Sequence, residues 1–409
     1  SLLPRLAGAK HWRNVGVEAV MSYAQFRAKV PLSTAEGLAS AIGQMRNGEA
    51  DVLWPGRCQL FALSSGTSTG HARPVPITEE MLRHFRRAGL AALLFYTVRA
   101  KNAGVVRGRH LLLGGSTELL AQGGTGGSEP FATSLSGLIE LSLPAWMERY
   151  LYEPGSAIGK IKEWDARLAA IAQRARNRDI TLLAGLPNWI LNLTREVQEP
   201  ATSGSRAPAP VQTRWPNLEC LFHTGIPISP FAAELRAVLG PDVRFHDVYV
   251  AAEGMIATQD SDVAAKGLRL MADLGIFFEF LPMADFDRSR LEPLGAKAMP
   301  VTEVKTGVDY AVVITTPGGL VRTVLGDVVR FISTQPPRLV WVGRTELQLN
   351  AFGERVHEKE VTESLVAVCA RHNWTITNFH VAPLVAKGSH TGQVRGSHEW
   401  WIELRAGTV

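Results

Sequence analysis

The run Ser64-Ser-Gly-Thr-Ser-Thr-Gly70 gathers hydroxyl side chains and glycine backbone in one short stretch. A turn built this way leaves several N–H groups free, and such groups can wrap a phosphate. Gly66-Thr-Ser-Thr-Gly70 also fits the GxSxG spacing of a hydrolase nucleophile elbow. An elbow passes directly from its serine into a helix, whereas Arg73-Pro-Val-Pro76 first holds this chain extended. No Gly-Lys-Ser/Thr closes the run, so it is not a Walker loop. A second group is Tyr249-Val-Ala-Ala-Glu-Gly254, where Glu253 can reach a bound metal or simply occupy a turn. In Leu325-Gly-Asp-Val328, Asp327 stands between apolar stretches, ready to accept ribose hydroxyls or only to shape a turn. Gly343-Arg-Thr-Glu346 and Gly353-Glu-Arg355 read, alone, as charged turns.

These groups need a scaffold. The chain has 409 residues, 46% apolar and 20% charged, with a mean hydropathy of +0.03. That composition supports a large core and excludes a disordered tail, a coiled coil and a collagen-like rod. The apolar stretch Leu90–Val98 is too short to span a bilayer, and Ser1-Leu-Leu-Pro-Arg5 lacks a signal-peptide layout. Cys58, Cys220 and Cys369 are too dispersed for a disulfide framework or a zinc site, which suits a reducing cytoplasm. A net charge of +5 is mild for this length and has no basic run, so neither nucleic acid nor membrane is an expected partner. Arginine outnumbers lysine about threefold, as in a GC-rich bacterial gene.

Apolar strands are expected at Cys58–Leu63, His110–Leu113, Ile180–Ala184, Leu218–His223, Val243–Val250, Phe277–Leu281, Asp309–Thr316, Val328–Ile332 and Leu339–Val342. Helices are expected at Ala35–Arg46, Asp165–Arg176, Asn188–Val197, Pro230–Leu239 and Val356–Ala370, and one that starts after an N-cap at Thr78. Gly123–Ser128 and Gln198–Thr213 read as loops. The alternation argues for an α/β fold: a large N-terminal domain over residues 1–338, with mixed or parallel sheets flanked by helices. A smaller α+β C-terminal lobe follows over residues 339–409; the chain opens on Ser1 and closes on Val409, so this lobe reads as incomplete.

Taken in order, the four motifs resemble the adenylate-forming superfamily. Within it, the whole chain is most similar to the acyl-acid amido synthetases of the plant auxin-responsive Gretchen Hagen family, specifically their bacterial relatives. The resemblance rests on Leu63–Gly70, His246–Gly254, Val313–Leu320 leading into Leu325–Val329, and Gly343–Gly353. It implies ATP-dependent activation of a carboxylic acid, release of pyrophosphate, and transfer of the acyl group from AMP to an amine or amino acid. It places Ser64, Ser65, Gly66, Thr67 and Ser68 at the phosphates, Tyr249 beside the adenine, and Gly225, Ile226 and Pro227 along the adenine pocket. Glu253 would hold Mg2+, Asp327 the ribose, and Arg344 and Glu346 the hinge between lobes. Arg355 stands where relatives often have a phosphate-approaching lysine.

Ala252 replaces a usual Ser or Thr, and Val321 and Thr323 stand where relatives often have Tyr, around Arg322. Glu346 stands in place of a more usual Asp. An acyl-CoA ligase and a catalytically weakened small-acid binder are the rival readings. The acyl pocket is expected between the helix Leu82–Tyr96 and the loop Gly114–Thr117, whose apolar character favours an aryl or alicyclic acid.

Overall fold

A computed structural model describes residues 2–64, 72–122, 130–198, 211–262, 266–345, 348–349, 356–372, 374, 376–385 and 396–404. Strands Arg109–Leu113, Ile180–Gly185, Cys220–His223 and Arg244–Ala251 run parallel, with Tyr152–Glu153 at their outer edge. Beyond Arg244–Ala251 the sheet becomes antiparallel through Gly254–Gln259, Leu268–Leu270, Pro337–Arg344, Thr323–Thr334, Asp309–Thr315, Phe277–Pro282 and Met299–Pro300. All belong to one 12-stranded mixed sheet. A 4-stranded sheet orders Pro74–Ile77, Leu60–Leu63, Phe131–Ser134 and Leu120–Ala121. The α/β class expected from the sequence is the observed one.

The parallel strands are apolar on both faces because helices cover both. Successive residues point to opposite faces. Leu183 and Leu221 therefore join Leu168, Ile190 and Leu235 of helices Trp164–Ala175, Pro187–Val197 and Ala232–Leu239. Leu182 and Cys220 instead meet Tyr96 of the helix Glu79–Ala100. That helix starts where its N-cap places it: the Thr78 hydroxyl accepts from the Met81 N–H at 3.1 Å, with Glu79 and Glu80 in the first turn.

The structure corrects one local reading. Leu325–Val328 is not a turn between strands but the interior of Thr323–Thr334. Gly326 takes φ +91°, and the register slips between Val328 and Val329, so one strand bends where the sequence suggested two. Pro337–Arg344 crosses residue 338 and stays hydrogen-bonded to the large sheet through Arg344. Beyond it lie Val356–His357, the helix Glu358–His372 and the ribbon of Ile376–Val385 with Gly396–Leu404. Among the described residues no helix is long and apolar enough to cross a membrane.

Arg322 is fully buried at the head of the strand Thr323–Thr334, and every donor of its guanidinium is spent. Its Nε and Nη2 bond the Glu279 carboxylate at 2.9–3.1 Å, Nη1 reaches the Arg27 and Val30 carbonyls, and Nη2 also reaches Gly295 O. The Tyr23 hydroxyl donates to the same carboxylate at 2.9 Å; burial and that carboxylate push its pKa above the ordinary range. Glu279→Gln leaves the buried guanidinium uncompensated and is expected to lower the unfolding free energy by about 3–5 kcal/mol in urea titration. A loss under about 1 kcal/mol, the size of an exposed pair, would show that the pair does not hold the strands.

A second buried carboxyl predicts a pH effect. Glu140, on the helix Leu135–Leu141, is 6% exposed, and burial pushes its pKa from 4.5 up to about 7. The folded protein therefore keeps a proton that the unfolded chain has released, and stability falls as pH rises from 4.5 to about 7. Glu140→Gln should flatten this slope and gain up to about 3 kcal/mol at pH 8. Equal pH slopes for the two proteins between pH 5 and 8, in urea titration, would refute the assignment.

Candidate active site

Open α/β sheets bind ligands outside the carboxyl ends of their parallel strands. Leu113, Gly185 and His223 end three such strands, Leu63 and Ser134 end the parallel pair of the smaller sheet, and all five line one cavity of about 2060 Å³. The Gly114 and Gly115 turn, Ser64, Gly225, Ile226, Pro227, Tyr249, Ala252, Glu253, Asp327 and Arg344 line it too. Motifs scattered over more than two hundred residues thus converge.

Glu253 sits at a tight hairpin. Ala251 pairs with Gly254, leaving Ala252 and Glu253 as its two turn residues. Gly254 takes φ +154°, and a Cβ there would collide with the Ile276 side chain, so glycine is required. His84 anchors the next residue: its Nδ1 donates to Leu274 O at 2.8 Å and its Nε2 accepts the Met255 N–H at 3.0 Å. That tautomer is neutral, consistent with burial lowering the His84 pKa. Burial raises the Glu253 pKa, and the Arg344 and Arg73 charges oppose it. Among the described residues Glu253 makes no ion pair. A lone carboxylate completed by substrate phosphates is a usual Mg2+ site, so Glu253 fits that ion.

Asp327 is 3% exposed and lies opposite Arg344 in the sheet register. Arg344 Nε stands 3.0 Å from its Oδ1, and the Tyr249 hydroxyl donates to its Oδ2 at 2.5 Å. Burial raises the Asp327 pKa while Arg344 and the tyrosine bond hold it down. The carboxylate is therefore aimed by partners on two other strands, the adjacent Pro337–Arg344 and the more distant Arg244–Ala251, rather than by a turn.

Ser64 donates its N–H to Arg73 O at 2.9 Å, and its hydroxyl accepts the Arg73 N–H at 3.1 Å. Gly225 takes φ +83° in the turn after Cys220–His223. Ser65, Gly66, Thr67, Ser68, Glu346 and Arg355 lie outside the described residues, as do the Gly123–Ser128 loop and most of Gln198–Thr213.

Three cavity residues were not singled out from the sequence. His223 is buried, its pKa pushed down to about 4, and its Nδ1 lies 3.6 Å from Asp247, whose carboxyl burial pushes up to about 6. Both stand at the carboxyl ends of parallel strands, a rule that could have flagged them. Arg46 lines the cavity with its Nε unpartnered among the described residues. Nothing in its helical context distinguishes it from an ordinary basic C-terminal residue.

Comparison with known proteins gives the chain its relatives. Residues 1–125 match the GH3 family N-terminal domain and residues 269–344 the GH3 family central domain. The putative indole-3-acetic acid-amido synthetase GH3.10 of Oryza sativa subsp. japonica is 26% identical over 89% of this chain and 80% of its own length. The indole-3-acetic acid-amido synthetase GH3.8 of Oryza sativa subsp. indica is 24% identical over 89% of this chain and 68% of its own. In fold, the AtGH3.15 acyl acid amido synthetase in complex with 2,4-DB aligns at TM-score 0.70 and 18% identity, over 99% of this chain and 76% of that one. The 2-hydroxyisobutyryl-CoA ligase in its postadenylation state aligns at 0.59 and 15%, over 98% and 76%. The stretches that match the N-terminal and the central domain of the GH3 family thus both contribute residues to one shared crevice.

Proposed function

We propose that this protein is an ATP-dependent acyl-acid amido synthetase. The observation that carries the reading is the convergence of Tyr249, Glu253 and Asp327 on one cavity in a chain homologous to amido synthetases. In the first step a carboxylate oxygen of the acid attacks the α-phosphorus of ATP, and pyrophosphate leaves. In the second an amine, an amino acid by likeness to the relatives, attacks the acyl carbon; AMP leaves and the nitrogen loses a proton. Both partners of the first step are anions, so fixed donors and positive charge must offset their repulsion.

Glu253 would hold Mg2+, which supplies charge neutralisation at the phosphates when bound. Ser64, Ser65, Gly66, Thr67 and Ser68 would present hydroxyls and N–H groups to those phosphates. Gly225–Pro227 would flank the adenine with Tyr249, and Asp327 would accept the ribose hydroxyls. Arg355 would approach the phosphates. Arg344 ends the last strand of the large sheet, and with Glu346 it would form the hinge. Hydrogen bonds to the large sheet run through Thr345, which supports a lobe division beyond that residue rather than at the expected 338/339. Three dispersed cysteines, all buried and free, support a reducing, cytoplasmic setting.

The test is pyrophosphate release across a panel of carboxylic acids, with amino acids or coenzyme A as acceptors. Amide formation is expected; a thioester product would favour the acyl-CoA ligase reading, and ligand binding without turnover the weakened binder. Glu253→Gln should remove most carboxylate-dependent pyrophosphate release without a large change in melting temperature. An unchanged rate would refute the magnesium role. Asp327→Ala should weaken ATP binding roughly ten- to a hundredfold, the worth of a charge-assisted hydrogen bond. It should also erase the preference for ATP over 2′,3′-dideoxy-ATP; wild-type discrimination in that variant would refute the ribose contact.

A further inference from the structure

The helix Glu79–Ala100 carries a glycine at its centre that neither its backbone nor its neighbours require. Gly89 is not in the left-handed region, and a Cβ built there meets no atom within 4 Å. Mid-helix glycine is unfavourable relative to alanine, because it loses more backbone freedom on folding. Gly89 nonetheless faces the cavity, on the same helical wall as Phe85 and Ala92. Ile139, Ala184 and Phe222 line that cavity from neighbouring elements, and none of these side chains is charged. Gly89 therefore leaves open space on the cavity wall where an ordinary helical residue would project a side chain.

We propose that Gly89 sets the size of the acyl group that the cavity admits. The inference rests on the amido synthetase reading of this site and names the residue that selects among its acids. Alanine here would narrow the bowl slightly, and phenylalanine or leucine would fill it. Tyr249, Glu253 and Asp327, on which the adenylate reading rests, belong to other elements than this helix.

The experiment compares wild type, Gly89→Ala and Gly89→Phe. Binding of 1-naphthoate, cyclohexanecarboxylate, butyrate and acetate is measured calorimetrically, and pyrophosphate release with the same acids is measured in parallel. Gly89→Ala should raise the melting temperature by a few degrees, showing that the fold did not need glycine. Gly89→Phe should lose at least tenfold in affinity and in kcat/KM for the two cyclic acids, and change less than threefold for acetate. Equal losses for every acid, or cyclic acids bound by Gly89→Phe as by wild type, would overturn the proposal. Wild type that binds no cyclic acid would overturn it too. If the cyclic acids bind and are excluded by Gly89→Phe but no pyrophosphate appears with any acid, the size gate stands and the synthetase reading falls.

Discussion

The buried pair of Arg322 and Glu279 is the constraint on which the rest of the architecture turns. Arg322 precedes the strand that carries Asp327, Glu279 lies in the strand Phe277–Pro282, and the remaining guanidinium donors tie down Arg27, Val30 and Gly295. One side chain thus joins the N-terminal helices, two strands of the large sheet and the segment before Met299. A buried ion pair adds little stability over well-packed apolar residues, but half of one is severely destabilising. Further along the same strand, Asp327 pairs with Arg344.

The crevice is built by a second logic. Parallel strands end together, so residues distant in sequence arrive at one rim. The Glu253 hairpin joins that rim because Arg244–Ala251 is where the sheet changes from parallel to antiparallel, and the chain must reverse within two residues. His84 reaches across from the long helix to hold Met255, so the helix is tied to the hairpin. Any ligand between them meets a preorganised wall rather than a loop.

Much of this was legible in the sequence because it is local. Thr78 with two following glutamates marks a helix start by capping chemistry alone, and apolar runs of strand length mark the buried parallel strands. The motif order located Glu253, Asp327 and Tyr249, and all three line the cavity. What was not legible depends on partners far along the chain. Leu325-Gly-Asp-Val328 looked like a turn because glycine and aspartate favour turns; only cross-strand pairing with both neighbours keeps it in a bent strand. Arg322 gave no structural signal because its carboxylate partner lies 43 residues away. Gly89 is silent by periodicity, since a glycine inside a helical pattern records a missing side chain and not what occupies the space.

Two fully buried carboxylates of the scaffold differ from those at the crevice. Glu153, fully buried, is ringed by Arg109, Arg174 and Arg178, and Glu279 is matched by Arg322. In both places the fold supplies the compensating charge itself, as burial demands. Around the crevice it does so only in part. Asp327 has Arg344 and a tyrosine hydroxyl, Asp247 has a neutral histidine at 3.6 Å, and Glu253 has no ion-pair partner among the described residues. Burial raises the pKa of all three. At Glu153 and Glu279 the sequence supplies the opposite charge, and at Glu140, away from the cavity, burial is met by protonation instead. That it leaves Asp327, Asp247 and Glu253 incompletely matched, side by side and open to a cavity, places the uncompensated charge where a ligand can complete it.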